Sequence, residues 1–349
     1  MAMPIESPAS SPGVLPKLEP GQASLDDLDR AIVACLQVNA RATWQQVAKV
    51  TGASESTVSR RANRLLRDRV VYVTVIPDPV RCGLGTPLLM QVDCAAGATA
   101  AVANTLARRS DVRFLALLTG SHDIVFEAIT ASREHLAEVV VDQLRSVPGV
   151  IRARAESVIR NFKTAYDWSR DILGDQVALL EPSSRPDTRP AVVGATDLQL
   201  IQLLATDGRT AVADLAEQLG LGEAATRRRL DALTATNAIS FATLVDPPVM
   251  GFDVETFFWL DVEFSRLAST AERLANHPEV RYVSATAGYS NLACEVILRD
   301  VDDLYRFNTE VLGSLQGIHR VEMGQEPRVL KRGYLLAPSV LPDNATTLP

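Results

Sequence analysis

A register of 168 residues governs this sequence: Asp29 returns as Asp197, Arg41 as Arg209, Ala48 as Ala216 and Gly52 as Gly220. Arg60 and Arg61 return as Arg228 and Arg229, and Leu65 as Leu233. The interval persists downstream, where Asp78-Pro79 matches Asp246-Pro247, Gly83 matches Gly251, Gly120 matches Gly288 and Gly149 matches Gly317. Chance does not hold one spacing through helices, turns and strands alike. The chain is a tandem duplication, and each copy must fold in the same way.

Within a copy the most informative stretch is Ala53–Arg67. Read as a helix, it places Val58, Ala62 and Leu65 on one stripe. Ser56, Thr57, Ser59, Arg60, Asn63 and Arg64 cover the remaining surface, hydroxyls first and guanidiniums after. Ser54 is a good N-cap and lets the first turn stay polar. Upstream, Thr43–Val50 reads as a short helix, with the capping-box spacing between Thr43 and Gln46. Gly52 supplies the turn between the two. A third helix, from about Asp26 to Val38, adds Leu28, Ile32 and Leu36 to the same small core. Helix, glycine turn, basic helix is the helix-turn-helix arrangement. In it, short polar side chains reach base edges and arginine contacts guanine or phosphate. A solvated surface helix is the plainer reading of the same face; the two preceding helices favour DNA.

Val70–Ile76 reads as a strand halted at Pro77-Asp78-Pro79. Further strands are expected over Thr86–Asp93, Val112–Leu118, Ile124–Ile129 and Val150–Ile159, with helices over Thr99–Arg109 and Ser132–Ser146. Leu136, Val139, Val140 and Leu144 form the inner face of the last helix. The order β-α-β-β-α-β is the ferredoxin-like arrangement, whose sheet has one face covered by helices and one free. A free face seeks another sheet, so oligomerisation through it is expected, or pairing of the two copies within one chain. The fold class is α+β: two winged-helix/helix-turn-helix domains alternating with two ferredoxin-like (βαββαβ) domains. The boundaries read as a disordered Pro-rich arm (1–24), helix-turn-helix (25–76), ferredoxin-like domain (77–165), linker (166–195), second helix-turn-helix (196–245), second ferredoxin-like domain (246–336) and tail (337–349). Pro182, Ser183, Ser184, Pro186 and Pro190 mark the linker.

Composition limits the function. An apolar content of 47% supports ordinary packed cores. No apolar run approaches a membrane span, and no basic start followed by a hydrophobic run marks a signal peptide; a cytoplasmic protein without membrane contact is expected. Cys35, Cys82, Cys94 and Cys294 lie far apart, with no zinc-type spacing, so reduced core cysteines are expected and no metal or cofactor. There is no Gly-x-Ser-x-Gly elbow and no phosphate-cradling glycine loop, and the chain is read as not an enzyme. The net charge of −7 is unevenly placed, with five arginines against Glu55 and Asp68 between Ser54 and Arg69. Charges beyond roughly 8 Å are screened at physiological salt, so modest, salt-sensitive DNA affinity follows.

The combination of Ser54-x-x-Thr57-Val58-Ser59-Arg60-Arg61 with a strand, Asp78-Pro79 and a ferredoxin-like domain resembles the Lrp/AsnC (leucine-responsive, feast/famine) family of transcription regulators. Members usually carry one such unit; this chain resembles two fused. The resemblance covers everything except arm, linker and tail. It implies that the sheet domains mediate dimerisation and sense a small ligand, commonly an amino acid. The family's ligand turn often reads Gly-Asp-Tyr-Asp; here the copies read Gly120-Ser121-His122-Asp123 and Gly288-Tyr289-Ser290-Asn291. The double-domain architecture also resembles the siroheme decarboxylases, which use the ferredoxin-like domain for a tetrapyrrole. The intact basic helix and the absence of a cluster among His122, His135, His277 and His319 favour the regulator. A ligand-binding oligomer that no longer binds DNA is a third reading.

For DNA, the candidates are Ser56, Thr57 and Ser59 as base readers, with Ser54 and Asn63 beside them. Arg60, Arg61 and Arg64 are phosphate or guanine contacts, and Arg41 is a further phosphate contact. The second copy has Ala224 and Ala225 in place of Ser56 and Thr57, Arg227 in place of Ser59, and Gly222 in place of the N-cap. Arg227, Arg228 and Arg229 supply charge without short readers. That half either binds backbone with little sequence preference or serves as a structural pseudo-subunit. For an effector, backbone N–H groups at Gly120, Ser121 and His122 would hold a carboxylate and Asp123 an α-ammonium, with Gly288, Tyr289 and Asn291 as counterparts. Plain hairpin turns with local side-chain bonds are the alternative. The expected partners are double-stranded DNA, a small-molecule effector and further copies of the chain. Two unlike half-sites, roughly 10 bp or a multiple apart, are expected for DNA.

Overall fold

The computed structural model describes residues 25–181 and 193–336. The expected arm (1–24), the Pro-rich part of the expected linker (182–192) and the expected tail (337–349) lie outside the described residues. Two compact units form, and each takes elements from both copies. One holds the described residues up to Leu84 and those between Ala165 and Met250; the other holds Gly85–Thr164 and the described residues from Gly251 on.

The first unit contains two sets of three helices, α1 (Asp27–Val38), α2 (Trp44–Thr51) and α3 (Glu55–Arg67), then α6 (Ala195–Thr206), α7 (Val212–Leu219) and α8 (Glu223–Ala235). Thr43 and Gln46 form the capping box, and Gly52 ends α2 in the left-handed region that glycine adopts without strain. Ile32, Leu36, Val47, Val58, Ala62 and Leu65 are all buried. Strands β1 (Tyr72–Pro77) and β6 (Ile239–Leu244) pair antiparallel, with Tyr72 opposite Leu244. Each strand serves the other copy. Val75 of β1 joins Leu200, Ile201, Leu204, Leu215, Leu230 and Leu233 in the second copy's core. Thr74 Oγ1 donates to Ala205 O (2.9 Å), while Thr243 Oγ1 donates to Leu36 O (2.6 Å). Both acceptors belong to the last turn of a helix, where carbonyls lack intrahelical partners.

The beginning of the expected linker is structured instead. Arg170–Leu179 forms 3₁₀ turns that break at Gly174, and Trp168, Leu173 and Leu180 are buried. Ser169 Oγ donates to Gln37 Oε1 (2.5 Å) and Asn39 Nδ2 to Leu180 O (3.2 Å), tying the segment to α1. The prolines begin only at Pro182, and the apolar residues before them pack.

In the second unit the first copy supplies β2 (Thr86–Cys94), α4 (Thr99–Ala107), β3 (Val112–Leu117), β4 (Ile124–Thr130), α5 (Arg133–Ala137) and β5 (Val150–Thr164). The second supplies β7 (Val254–Val262), α9 (Leu267–Ala275), β8 (Val280–Ala287), β9 (Leu292–Leu298), α10 (Val301–Arg306) and β10 (Ile318–Gln325), followed by β11 (Arg328–Arg332) and β12 (Leu335–Leu336). Each copy orders its strands in the ferredoxin-like way, β5-β2-β4-β3 and β10-β7-β9-β8. β5 runs past its expected end at Ile159 and pairs with β8, Ser157 opposite Ala287. β11 pairs in turn with β3. Because β10 and β11 follow one another in the chain, the C-terminal segment links β7 of its own copy to β3 of the other and closes the circuit of strands through the chain, while β10 and β12 stay the ends of the hydrogen-bonded order.

The two free faces meet inside this closure. Leu89, Phe114, Ala116, Val125 and Val158 pack with Phe257, Trp259, Tyr282 and Ala293. The Phe257 and Trp259 rings lie 4.7 Å apart between centroids. The second sheet that each face needs is therefore supplied by the same chain. One local expectation fails: Glu138–Gln143 is π-helical, with Leu144 N–H reaching Val139 O (3.3 Å). The wider turn shifts the helical phase, leaving Val140 37% exposed while Val139 and Leu144 are buried.

Candidate nucleic-acid interface and ligand turns

α3 begins at Ser54, whose Oγ accepts from Thr57 N–H (3.2 Å) and lies 2.9 Å from Thr57 Oγ1 and 3.1 Å from Ser56 Oγ. Ser54 is a cap. With Val58, Ala62 and Leu65 turned inward, Ser56, Arg60 and Asn63 stand exposed at i, i+4 and i+7 on the opposite side. Asn63 Nδ2 donates to Ser59 Oγ (3.3 Å), so these two polar groups face outward together. Thr57 and Ser59 are partly exposed, and Arg60 takes part in no ion pair among the described residues.

Arg61 and Arg64, both expected at DNA, are engaged in ion pairs within the chain. Arg61 Nη1 lies 2.5 Å from Asp26 Oδ2 and 3.1 Å from Asp29 Oδ1; Arg64 Nη2 lies 2.6 Å from Asp29 Oδ2. The hydrogen bond from Arg61 holds the Asp26 carboxyl below its usual range. These pairs brace α3 against the head of α1, where Asp29 is buried. The second copy repeats the brace, with Arg229 Nη1 2.9 Å from Asp197 Oδ1. The joint return of Asp29 and Arg61 at one interval was the sequence signal for this structural role. Arg41 is likewise engaged, donating to Gly208 O and Thr210 O of the second copy at 3.1 Å each. Its guanidinium is half-buried against that loop.

α8 lacks a side-chain cap at Gly222. Thr226 is buried and donates to Gly222 O (3.3 Å); Ala224, Arg227 and Arg228 are exposed. The surface offers charge without short readers.

The ligand turns are built by exchange between copies. A Cβ on Gly120 would stand 3.0 Å from Met323 O, and one on Gly288 would stand 2.5 Å from Glu156 Cγ. Each turn thus abuts the last strand of the other copy. Asp123 Oδ2 accepts from Cys94 N–H (2.7 Å), and Asn291 binds Val262 N–H (2.9 Å) and Val262 O (2.6 Å) in the same way. Asp123 is spent on the end of β2, which leaves it a poor partner for an α-ammonium. Ser121 is exposed. His122 is buried, Nδ1 2.6 Å from Asp93 Oδ1 and Nε2 3.1 Å from Glu322 Oε1, edge-on to Trp259. Tyr289 is 57% exposed, with Arg154 and Arg320 over its ring at 4.6 and 3.8 Å. Buried Glu156 accepts from Ser290 N–H (2.9 Å), and burial raises its carboxyl pKa.

Arg154, Glu156 and Arg320 were missed from sequence. Their signal was the period-two charge of Arg152-x-Arg154-x-Glu156 and Arg320-x-Glu322, which marks one face of a strand. Among the described residues, Glu255, Glu295 and Glu326 bring carboxylate oxygens within 4.8 Å of one another. Arg332 Nη2 sits among them, 2.5 Å from Glu255, 3.3 Å from Glu295 and 3.9 Å from Glu326, and so fills the cation's place.

Residues 25–66 and 195–234 match the AsnC-type helix-turn-helix domain, and residues 88–168 and 255–324 match the Lrp/AsnC ligand binding domain. The chain belongs to the Lrp/AsnC family. An uncharacterised HTH-type transcriptional regulator of Pyrococcus horikoshii is 27% identical over 150 residues, spanning 43% of this chain and 95% of the relative. The HTH-type transcriptional regulator FL11 of the same organism is 30% identical over 140 residues, spanning 40% of this chain and 92% of its own length. These Lrp/AsnC relatives have the length of one copy of the repeat. A crystal structure of the siroheme decarboxylase NirDL shares the fold over 88% of this chain and 93% of its own, with a TM-score of 0.57 and 12% identity. That likeness is one of architecture. Among the described residues, no helix is long and apolar enough to cross a membrane. The chain is an Lrp/AsnC-type transcription regulator with paired helix-turn-helix and ligand-binding domains.

Proposed function

We propose that this regulator reads a specific duplex sequence mainly through α3 and adjusts that binding to a small ligand, an amino acid or a related metabolite. The observation that carries the reading is the outward stripe of Ser56, Ser59, Arg60 and Asn63. It stays exposed, Ser59 partly so, while the neighbouring Arg61 and Arg64 are taken up by Asp26 and Asp29. Base reading then falls to the hydroxyls, Asn63 and Arg60, and Arg227 and Arg228 of α8 supply backbone contact. Selection of bound duplexes from a random pool by the full chain tests this. One strong half-site beside a weakly specified one is expected; a pool without enrichment rejects it.

The ligand is expected at the turns, where Arg154 and Arg320 flank Tyr289 and present guanidiniums to a carboxylate. An amino-acid screen by thermal shift should give a saturable rise in Tm. Association with further copies is expected to use surfaces other than the sheet faces, which pack on each other within one chain. The architectural likeness to NirDL favours a second reading, tetrapyrrole binding. His122 weakens it, since both ring nitrogens stand beside carboxylates. Mixing with siroheme and watching for a Soret shift separates the two.

A further inference from the structure

The two helix-turn-helix domains hold each other by a reciprocal clasp. Arg41 donates through Nη1 to Gly208 O and through Nη2 to Thr210 O, both at 3.1 Å, and its guanidinium lies 5.2 Å from the centre of the Phe241 ring. Arg209 returns the contact, to Ala40 O (2.6 Å) and Ala42 O (3.1 Å), 4.3 Å from the centre of the Trp44 ring. The clasped loops are equivalent in the two copies and lead directly into α2 and α7. Their approach is close: a Cβ on Gly208 would stand 2.9 Å from Val73 Cγ1 and 3.0 Å from Thr74 N. Burial draws both guanidiniums below their ordinary pKa, yet arginine keeps its charge. These cations are committed to four carbonyls.

We propose that Arg41 and Arg209 are positioning residues that set the distance between α3 and α8, and with it the half-site spacing the chain selects. α3 and α8 follow the clasped segments through short helices and tight turns at Gly52 and Gly220. Locking the loops therefore locks the recognition helices into one relation. The proposal rests on the DNA reading above and assigns Arg41 a role different from phosphate contact. Chemistry separates the two roles. Lysine serves well as a point charge at a phosphate but cannot span two carbonyls and stack on a ring.

The test uses the full chain and its Arg41→Lys and Arg209→Lys variants on duplexes carrying the selected half-sites. Spacers are the preferred length and that length shifted by about half a turn, roughly 5 bp. In the parent the preferred spacer binds better. In the lysine variants that preference falls about tenfold, comparable to one mismatched base pair, while the salt dependence stays the same. Phe241→Leu, which removes the aromatic face beneath Arg41 and keeps an apolar side chain against the core, should lower the preference in the same direction and covers the case in which a lysine variant fails to fold. An unchanged spacing preference in folded variants overturns the proposal. So does an Arg41→Gln variant that keeps the preference and loses about one unit of salt slope, the mark of a phosphate contact. A parent that binds duplex without spacing preference rejects the clasp's role alone; one that binds no duplex rejects the DNA reading as well.

Discussion

The recognition helices α3 and α8 occupy equivalent places and show solvent different chemistry. Both are braced to the first helix of their copy by an arginine–aspartate pair, Arg61 to Asp29 and Arg229 to Asp197. Outside that brace, α3 carries a hydroxyl cap and short polar readers, whereas α8 starts at a bare glycine and exposes Ala224 and two arginines. The same division runs through the second unit. Arg113–Glu127 and Arg281–Glu295 are buried pairs one repeat apart, and Lys163 and Lys331 reach the equivalent carbonyls of His277 and Arg109 at 2.9 and 2.7 Å. Residues kept in both copies hold the scaffold together. Exposed residues that differ give the two copies unlike surfaces.

The largest expected effect tests the shared scaffold. Glu127→Ala and Glu295→Ala each remove the carboxylate from a buried ion pair, which should cost about 3–5 kcal/mol in denaturant unfolding. Near-equal losses support equivalence; a Glu127→Ala chain as stable as the parent would break it.

The second prediction concerns a place where the copies part. Glu326, Glu255 and Arg332 have Val158, Pro87 and Thr164 as counterparts. Burial and the charge of Glu255 push the Glu326 carboxyl up to about 8, against the pull of Arg332 and Arg281. Glu255, Glu295, Arg281 and Arg332 are the charged side chains around it, from β7, β9, β8 and β11. Between about 4.5, where the unfolded carboxyl titrates, and about 8, the folded chain keeps a proton that the unfolded chain has released. Stability therefore falls as pH rises through that window and levels off above it. Glu326→Val should remove this slope in melts recorded across the window. Parallel curves for variant and parent would show that another group carries the pH dependence.

Smaller effects distinguish the readers. Arg60→Ala should cost about 1–3 kcal/mol of DNA affinity and relax sequence preference at one position. Arg228→Ala should weaken all sequences alike and lower the salt slope by about one. Competition binding against single-base operator variants tells them apart, and equal sequence loss in both would make α8 a second reader. The smallest effect exchanges the caps. Ser54→Gly and Gly222→Ser should shift stability by only about a few tenths of a kcal/mol, in opposite directions, measurable as small changes in Tm.

Much of the fold was legible because its signals are local. The capping box at Thr43 and Gln46, the turn at Gly52 and the stripe of Val58, Ala62 and Leu65 follow from spacing within one or two helical turns. The site was legible only in part. Ser56, Thr57, Ser59, Arg60 and Asn63 are exposed or partly exposed, as a helical projection requires, but projection alone cannot show that Arg61 and Arg64 meet Asp26 and Asp29. Nor does composition separate the packed segment around Trp168 from the prolines after it.

The sequence by itself determined the duplication, the kind of most elements and the side that α1, α2 and α3 turn inward, because these depend on periodicity along the chain. Only the tertiary structure decided which cations remain available, that β1 and β6 serve the opposite copy, and that the sheet faces close on one another. Those outcomes depend on groups from 32 to well over a hundred positions apart, such as Arg61 and Asp29, Arg41 and Gly208, or Glu156 and Ser290. Side-chain partners at that range are selected by packing, and no spacing rule along a strand or helix encodes them.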